Sequence, residues 1–221
     1  MNLLSAMINY KRIYTKDYFS GKSSFFWKLG YGRFSNFYFN SLFKPIVKYI
    51  KKIETGKVLD VGCAYGFMLK RFPDSFQKFG IDVSKYAISV AKKRLSSATL
   101  KIRSAEEKLP FEEDFFDMIL FNDVLEHLEN PKIALENIYK VLKKDGILYI
   151  TTPNLNIVRK KIFRYADEKE HHISLFSDSS LTSLLNSLGF KIAEHWTFIN
   201  LLVYVRFKSN LGTESAFICK K

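Results

Sequence analysis

The sequence predicts an α/β fold: a doubly wound sheet of mainly parallel strands with helices on both faces. Short apolar runs alternate along the chain with segments of helical periodicity, which is the pattern of repeated strand–helix–strand units. The first run, residues 58–61, leads directly into a turn that contains Gly62 and Gly66. A second run ends in Asp82, where an acid can accept hydrogen bonds from both hydroxyls of a ribose. These observations together predict a nucleoside-cofactor site.

The composition is that of one folded domain. A chain of 221 residues with 47% hydrophobic residues is long and apolar enough to form a sizeable core. Two cysteines do not make a disulfide framework, so a reducing cytoplasm is expected. No apolar run has the length of a membrane span, and residues 1–7 lack the features of a signal peptide.

The net charge of +13 is unevenly distributed. Residues 1–57 contain 11 basic and 2 acidic side chains, whereas the rest of the chain contains 24 and 20. Such an excess predicts an anionic partner for the N-terminal segment: nucleic acid, a phosphorylated metabolite or a lipid headgroup. A solvated basic face that only keeps the protein soluble is the alternative, and the sequence leaves both open.

Periodicity and turn residues place the elements in order. A helix with one apolar side is followed by the first strand and by a short helix that Pro73 ends. Ser84 is expected to cap the next helix, and Pro131 fits the first turn of another. The expected strands are residues 58–61, 76–81, 99–103, 115–121, 147–151, 190–198 and 215–219. The expected helices are residues 41–53, 66–72, 85–95, 132–142 and 178–188.

The chemistry of the glycine turn indicates which nucleoside is bound. A dinucleotide site has three glycines, because its pyrophosphate rests on a helix N-terminus. Here Ala64 takes the middle position, and Asp60 beside the turn would repel a pyrophosphate but attract a cation. The ammonium and sulfonium groups of S-adenosylmethionine match this site.

At this point the sequence resembles the class I S-adenosylmethionine-dependent methyltransferases, whose first motif reads acid-x-Gly-x-Gly-x-Gly. Residues 104–111 are similar to the family's acid-Ala-Glu before Leu-Pro-Phe, although Ser104 replaces the acid. The Phe-Asp of the family's fourth strand also recurs, at residues 116–117.

The resemblance implies a Rossmann-like sheet of seven strands, in the order 3-2-1-4-5-7-6 with strand 7 antiparallel. It also implies an aromatic and basic N-terminal helical cap, residues 1–55, over a cofactor-binding domain, residues 56–221. The cap's aromatic residues would stack on bases or on a quinone-like ring, or would form only the cap's own core. The cofactor-binding residues that it implies are Asp60, Gly62, Cys63, Ala64, Gly66, Asp82, Val83, Ala105, Glu106 and Asn122.

Residues 122–128 follow the fourth strand, at the edge where ligands bind in open parallel sheets. His127 is the best candidate for a base that deprotonates the methyl acceptor, because imidazole titrates near neutral pH. Asp123 and the distal His172 complete the catalytic prediction. The alternative is that His127 only packs against the cofactor pocket.

The spacing Asp123-x-x-Glu126-His127, together with His172, also allows a metal site. It resembles the ubiquinone-pathway O-methyltransferases and the small-RNA 3′-terminal 2′-O-methyltransferases. In both, two acids and two histidines would ligate a divalent ion. The first acid is Asp here rather than Glu, and similar patterns occur in relatives with no established metal. Catalysis without metal is therefore the primary expectation, with the four-residue metal site as the alternative.

Three functions are compatible with these observations. The favoured one is methyl transfer to an oxygen, or less readily a nitrogen, of a small anionic or aromatic metabolite. The second is an RNA methyltransferase, supported by the basic N-terminal segment and by the basic residues 159–164. Against it, no known RNA-binding module is attached. The third is a non-catalytic protein that binds S-adenosylmethionine.

Overall fold

The computed structural model describes residues 13–20, 22, 35–200 and 204–221. Eight strands of these residues form a single sheet, in the order β3-β2-β1-β4-β5-β8-β6-β7. Their bounds are β1 Gly56–Val61, β2 Phe76–Asp82, β3 Thr99–Ile102, β4 Phe116–Asn122, β5 Leu142–Pro153, β6 Lys191–Asn200, β7 Tyr204–Phe207 and β8 Glu214–Lys220. The predicted fold class is confirmed.

Strands β1 to β5 are parallel, and β8 lies antiparallel between β5 and β6, as predicted for the seventh strand. The structure adds β7, an edge strand antiparallel to β6 that the sequence analysis did not predict. Its four residues lie at the sheet edge and none is fully buried. A strand this short and half-exposed has too little alternation of apolar and polar residues to be predicted from the sequence.

Eight helices are present in the described residues. They are α1 Lys16–Phe19, α2 Ser35–Phe43, α3 Val47–Ile53, α4 Lys85–Arg94, α5 Pro131–Val141, α6 Ile157–Ile162, α7 Arg164–Lys169 and α8 Asp178–Ser187. Ser84 caps α4 by accepting a hydrogen bond from the Ala87 N–H at 3.2 Å, as expected. The helix predicted over residues 41–53 is divided by a 3₁₀ turn at Lys44–Ile46, which contains Pro45.

The helix predicted over residues 66–72 is wrong, because only a 3₁₀ turn at Leu69–Arg71 forms there. Phe67, Met68 and Leu69 are all buried, and three consecutive inward side chains do not fit the one-sided face of a surface helix. Pro73 then leaves no length for further turns. The first crossover therefore covers little of the sheet.

Helices α2 and α3 pack on the face of the sheet that the short first crossover leaves largely uncovered. Leu42, Ile46 and Ile50 belong to the same buried cluster as Leu120 and Tyr149 of the central strands. The opposite face is covered by α5 and α8. The described part of the predicted cap thus contributes to the sheet's core, while residues 1–12, 21 and 23–34 of it lie outside the described residues.

Candidate functional site

The turn after β1 has the backbone that a close approach to a ligand requires. Gly62 and Gly66 have φ angles of 79° and 73°, in the left-handed region that glycine tolerates. A Cβ at Gly62 would lie 2.2 Å from Cγ2 of Val124, so no larger residue fits. Ala64, at the middle position, also has a positive φ of 43°. The turn therefore keeps its left-handed geometry without the glycine that the motif usually has there.

Two buried carboxylates flank this turn. Asp82 accepts hydrogen bonds from the backbone N–H groups of Ala64, at 2.9 Å, and Ser84, at 2.7 Å. Burial raises its pKa to about 6, although these hydrogen bonds lower it. Burial, and then the charge of Asp82, raise the pKa of Asp60 to about 8. No cation of the described residues contributes to either shift, so this pair would attract a cationic ligand.

Polar side chains at the ends of β4 and β5 form a hydrogen-bonded chain. The Asn122 amide donates to Oγ1 of Thr151 at 3.1 Å, and this hydroxyl donates to Oδ1 of Asp123 at 2.9 Å. Tyr38 of α2 donates to the other oxygen of Asp123. Burial and the charge of Asp123 raise the pKa of Tyr38, so the phenol keeps the proton that it donates. Oδ1 of Asn122 is buried without a hydrogen-bond partner among the described residues.

One 3₁₀ turn, Leu125–His127, brings Glu126 and His127 next to His172. Ligand atoms of these three side chains lie within 4.8 Å of one another, and the two imidazole rings are 4.8 Å apart. Burial, followed by the charge of His172, lowers the pKa of His127 to about 3. His127 is therefore neutral at physiological pH. Its Nδ1 is buried and has no hydrogen-bond partner in the part of the chain that is described.

A second layer of charged residues holds His172, and the sequence analysis missed it. Nδ1 of His172 lies 2.8 Å from Oδ1 of Asp167, which leaves Nε2 free for the cluster. Arg159, with a side chain only 1% exposed, donates to Asp167 at 3.2 Å and to Glu214 at 2.7 Å. In the sequence Arg159 is one of several neighbouring cations, and only its burial distinguishes it from Lys160.

Helix α1 and the residues before it lie over both parts of this site. The ring of Tyr14 meets that of His127 edge to face at 5.5 Å. The Tyr18 hydroxyl donates to Glu170 at 2.9 Å, and Phe19 stacks on Tyr65 beside the glycine turn at 5.0 Å. This part of the predicted cap therefore lies over the candidate cofactor site.

The remaining predicted residues surround the same strand ends. Val83 follows the carboxyl end of β2. The Cys63 thiol is buried, and this burial raises its pKa. Ala105 is buried, and its carbonyl accepts a hydrogen bond from the Asn137 amide at 3.0 Å. The Glu106 carboxylate accepts from the Asn130 N–H at 2.6 Å, just before α5. Ala105 and Glu106 thus connect the loop after β3 to α5.

Within the described residues, no helix is both long enough and apolar enough to cross a bilayer.

Comparison with known proteins identifies this arrangement. A family model described as a methyltransferase domain matches residues 34–195. An uncharacterised protein of Methanocaldococcus jannaschii is 32% identical over 158 residues, which are 68% of this chain and 72% of that protein. An uncharacterised methyltransferase of Schizosaccharomyces pombe is 27% identical over 62% of this chain and 51% of its own length.

The fold also matches solved structures. The crystal structure of a Thermotoga maritima S-adenosylmethionine-dependent methyltransferase, described as a possible histamine N-methyltransferase, superposes with a TM-score of 0.66. The match covers 86% of this chain and 94% of that protein at 21% sequence identity. At this identity the likeness concerns the fold.

Proposed function

The chain belongs to the methyltransferase-domain family, and from this premise we propose that it methylates an oxygen atom of a small anionic or aromatic metabolite. It is an S-adenosylmethionine-dependent methyltransferase, and S-adenosylmethionine is its cofactor. The observation that carries the proposal is the pairing of adjacent strands β1 and β4. Their ends bring the carboxylate-flanked turn next to Asp123 and to the cluster of Glu126, His127 and His172.

The proposed cofactor site follows from charge. The cofactor supplies the electrophile, a methyl group on a positively charged sulfur. Asp82 would bind the ribose hydroxyls, and Asp60 would stabilise the cofactor's positive charge. The buried Oδ1 of Asn122 is an open acceptor for the ammonium group. The backbone at Gly62, Cys63, Ala64 and Gly66 would line the bound cofactor, and Val83, Ala105 and Glu106 would border its adenine.

The proposed acceptor site lies over the end of β4. His127, which is neutral and has an unpartnered Nδ1, would take the hydroxyl proton of the acceptor there. Its pKa of about 3 in the free protein makes it a weaker base than the near-neutral imidazole expected from the sequence. With the cofactor bound, the acceptor oxygen would bond to the methyl carbon as the carbon–sulfur bond breaks, which would leave an uncharged thioether. Asp123, fixed by Tyr38 and Thr151, would orient the acceptor. His172 would hold the His127 ring in place through the contact between the two rings.

The same residues also fit a divalent metal ion. Glu126, His127 and His172 offer one acid and two imidazoles. Asp167 contacts the other ring nitrogen of His172, as carboxylates often do for histidines that bind a metal. Asp123, the fourth ligand of the metal hypothesis, is hydrogen-bonded to Tyr38 and Thr151 instead. A divalent ion there would supply a Lewis acid that polarises the acceptor oxygen. His127 would then be a ligand rather than the base.

The experiment is a screen of metabolite and RNA pools with radiolabelled cofactor. We expect the label in a small-molecule fraction that ribonuclease does not alter. His127→Ala should lower the rate by about 10²- to 10⁴-fold while calorimetry shows unchanged cofactor affinity. His195→Ala is the matched control, because His195 lies on β6, outside the cluster, and pairs with Asp178 of α8 at 3.3 Å.

Other results of these experiments would support an alternative function or refute the catalytic assignment. Label in RNA would replace the small-molecule assignment with an RNA methyltransferase, and cofactor binding without any labelled product would favour a non-catalytic protein. Full turnover in both His127→Ala and His172→Ala would refute the catalytic assignment. Loss of activity on chelation, with recovery on adding a divalent ion, would favour the metal site.

A further inference from the structure

Helices α6 and α7 and the turn after them expose an unusual number of large apolar side chains. Ile157, Ile162, Tyr165 and Ile173 are 73%, 67%, 61% and 58% exposed. These are the four most exposed large hydrophobic residues in the described parts of the chain, and all lie within 17 successive positions. Single exposed apolar residues are ordinary, but such a concentration indicates a surface that is covered in use.

Basic side chains surround these apolar ones. Lys160, Lys161, Arg164 and Lys169 are all exposed, and Glu168 is the one exposed acid between residues 157 and 173. The negative charge of Glu168 offsets only the charge of Arg164, with which it forms an ion pair at 3.3 Å. A shallow groove of about 400 Å³ is lined by both kinds of residue, Lys161, Ile162, Arg164 and Tyr165, and by the acid Glu168. We call the exposed side chains of residues 157–173 the basic-apolar patch.

The inward side of the same segment is firmly held. Arg159, Ala166, Asp167 and Glu170 are all buried. Arg159 forms ion pairs with Asp167 and with Glu214 of β8. The apolar side chains of the patch are therefore presented outward by a fixed support rather than by a segment that failed to pack.

We propose that the basic-apolar patch docks on the surface of an anionic lipid bilayer. Isoleucine and tyrosine side chains enter the boundary between headgroups and acyl chains, while lysine and arginine bind anionic headgroups. Nucleic acid would bind the lysine and arginine side chains but would leave the isoleucines exposed to water. The exposed apolar residues therefore favour a membrane over nucleic acid as the partner. The patch borders the candidate active site, since Ile173 follows His172. Docking would therefore hold the proposed methyl-transfer site close to the bilayer surface, a consequence that rests on the proposed function.

The test is co-sedimentation of the full chain with two kinds of vesicle. One contains equal parts of phosphatidylcholine and phosphatidylglycerol, and the other contains phosphatidylcholine alone. We expect binding to the anionic vesicles only. The double variants I157S/I162S and K160E/K161E should each lower the partition coefficient at least about tenfold. Unchanged thermal unfolding and unchanged cofactor affinity would show that each variant is folded.

The matched controls are K92E/K93E at the end of α4 and I133S on α5. K92E/K93E makes the same two charge reversals, and I133S makes one isoleucine-to-serine change, at exposed positions of other helices. Both controls should keep wild-type binding. No binding by the wild-type chain, or full binding by both patch variants, would overturn the proposal. Retention of bulk RNA that the patch variants lose, without vesicle binding, would assign the patch to nucleic acid. None of these outcomes depends on the identity of the methyl acceptor.

Discussion

The left-handed residues of the glycine turn differ in what they tolerate. Gly62→Ala adds a Cβ that meets Val124, at a positive φ, so we expect a loss of about 2–5 kcal/mol in the free energy of unfolding. Ala64→Gly removes the left-handed cost of about 1–2 kcal/mol, and the greater freedom of the unfolded chain offsets part of that gain. The variant should be as stable as wild type or up to about 1 kcal/mol more stable.

Urea denaturation measures both variants under identical conditions. The pair is its own control, because each variant changes one carbon atom in the same turn. A clearly destabilised Ala64→Gly would mean that the backbone of the turn differs from the one described.

The carboxylates beside the turn predict a pH dependence of cofactor binding. In the free protein the pKa values of Asp82 and Asp60 are raised to about 6 and about 8, so each acid is increasingly protonated as the pH falls through its own value. A cationic ligand stabilises the ionised forms, so binding releases protons and affinity rises with pH. We expect up to about a tenfold gain in affinity per pH unit between pH 6 and pH 7.

Calorimetry in buffers of different ionisation enthalpy would detect the released protons. The range ends near pH 7 because the cofactor's own amine loses its charge at about pH 8. Asp60→Asn should bind more weakly and with a flatter pH profile. Glu113→Gln, an exposed acid before the opposite end of β4, should behave as wild type. Affinity that falls as the pH rises would contradict the proposed site.

The sequence indicates some site residues and conceals others for a definable reason. Asp60, Asp82 and His127 stand at strand ends or next to glycines, where local pattern alone marks a ligand edge. Tyr38 contacts Asp123, a residue 85 positions away, and Arg159 contacts Glu214 across 55 positions. No local pattern marks such pairs, because only the folded chain brings them together.

The pairing of α6 with α7 depends on one buried arginine. Arg159→Met would leave Asp167 and Glu214 without their cation in a desolvated place, which costs about 3–5 kcal/mol. The free energy of unfolding, from urea denaturation, should fall by that amount. The matched control is Arg164→Met: this side chain is 83% exposed and forms a helical ion pair worth less than about 0.5 kcal/mol. Equal effects of the two substitutions would show that the buried network contributes nothing specific.

At the level of elements, the sequence predicted the strands better than the first crossover. A buried parallel strand is a short apolar run between turn residues, and β1, β2 and β4 all have that form. Residues 66–72 are apolar too, but their burial comes from an irregular segment that packs inward on several sides. Apolar content therefore predicted the burial of this segment but not its conformation.

The division into a cap, residues 1–55, and a domain, residues 56–221, stays a prediction, and truncation tests it. The family model begins at residue 34, and Leu42, Ile46 and Ile50 are buried against the sheet. Each such side chain contributes about 2–5 kcal/mol, and together they approach the whole stability of a domain. We therefore expect a chain of residues 56–221 to remain unfolded.

A chain of residues 35–221 is the control, since it retains α2 and α3 and should unfold cooperatively on heating. Circular dichroism would compare the two truncated chains with the full one. Cooperative unfolding of residues 56–221 alone would confirm the boundary at residue 55 and make α2 and α3 a dispensable addition.

The position of α1 has a consequence for turnover. Tyr14 lies on His127 and Phe19 on Tyr65, so residues 13–20 cover both the histidine proposed as the base and the glycine turn. We expect residues 13–20 to move aside when the cofactor binds and when the used cofactor leaves. The movement of residues 13–20, rather than methyl transfer, would then limit the turnover rate.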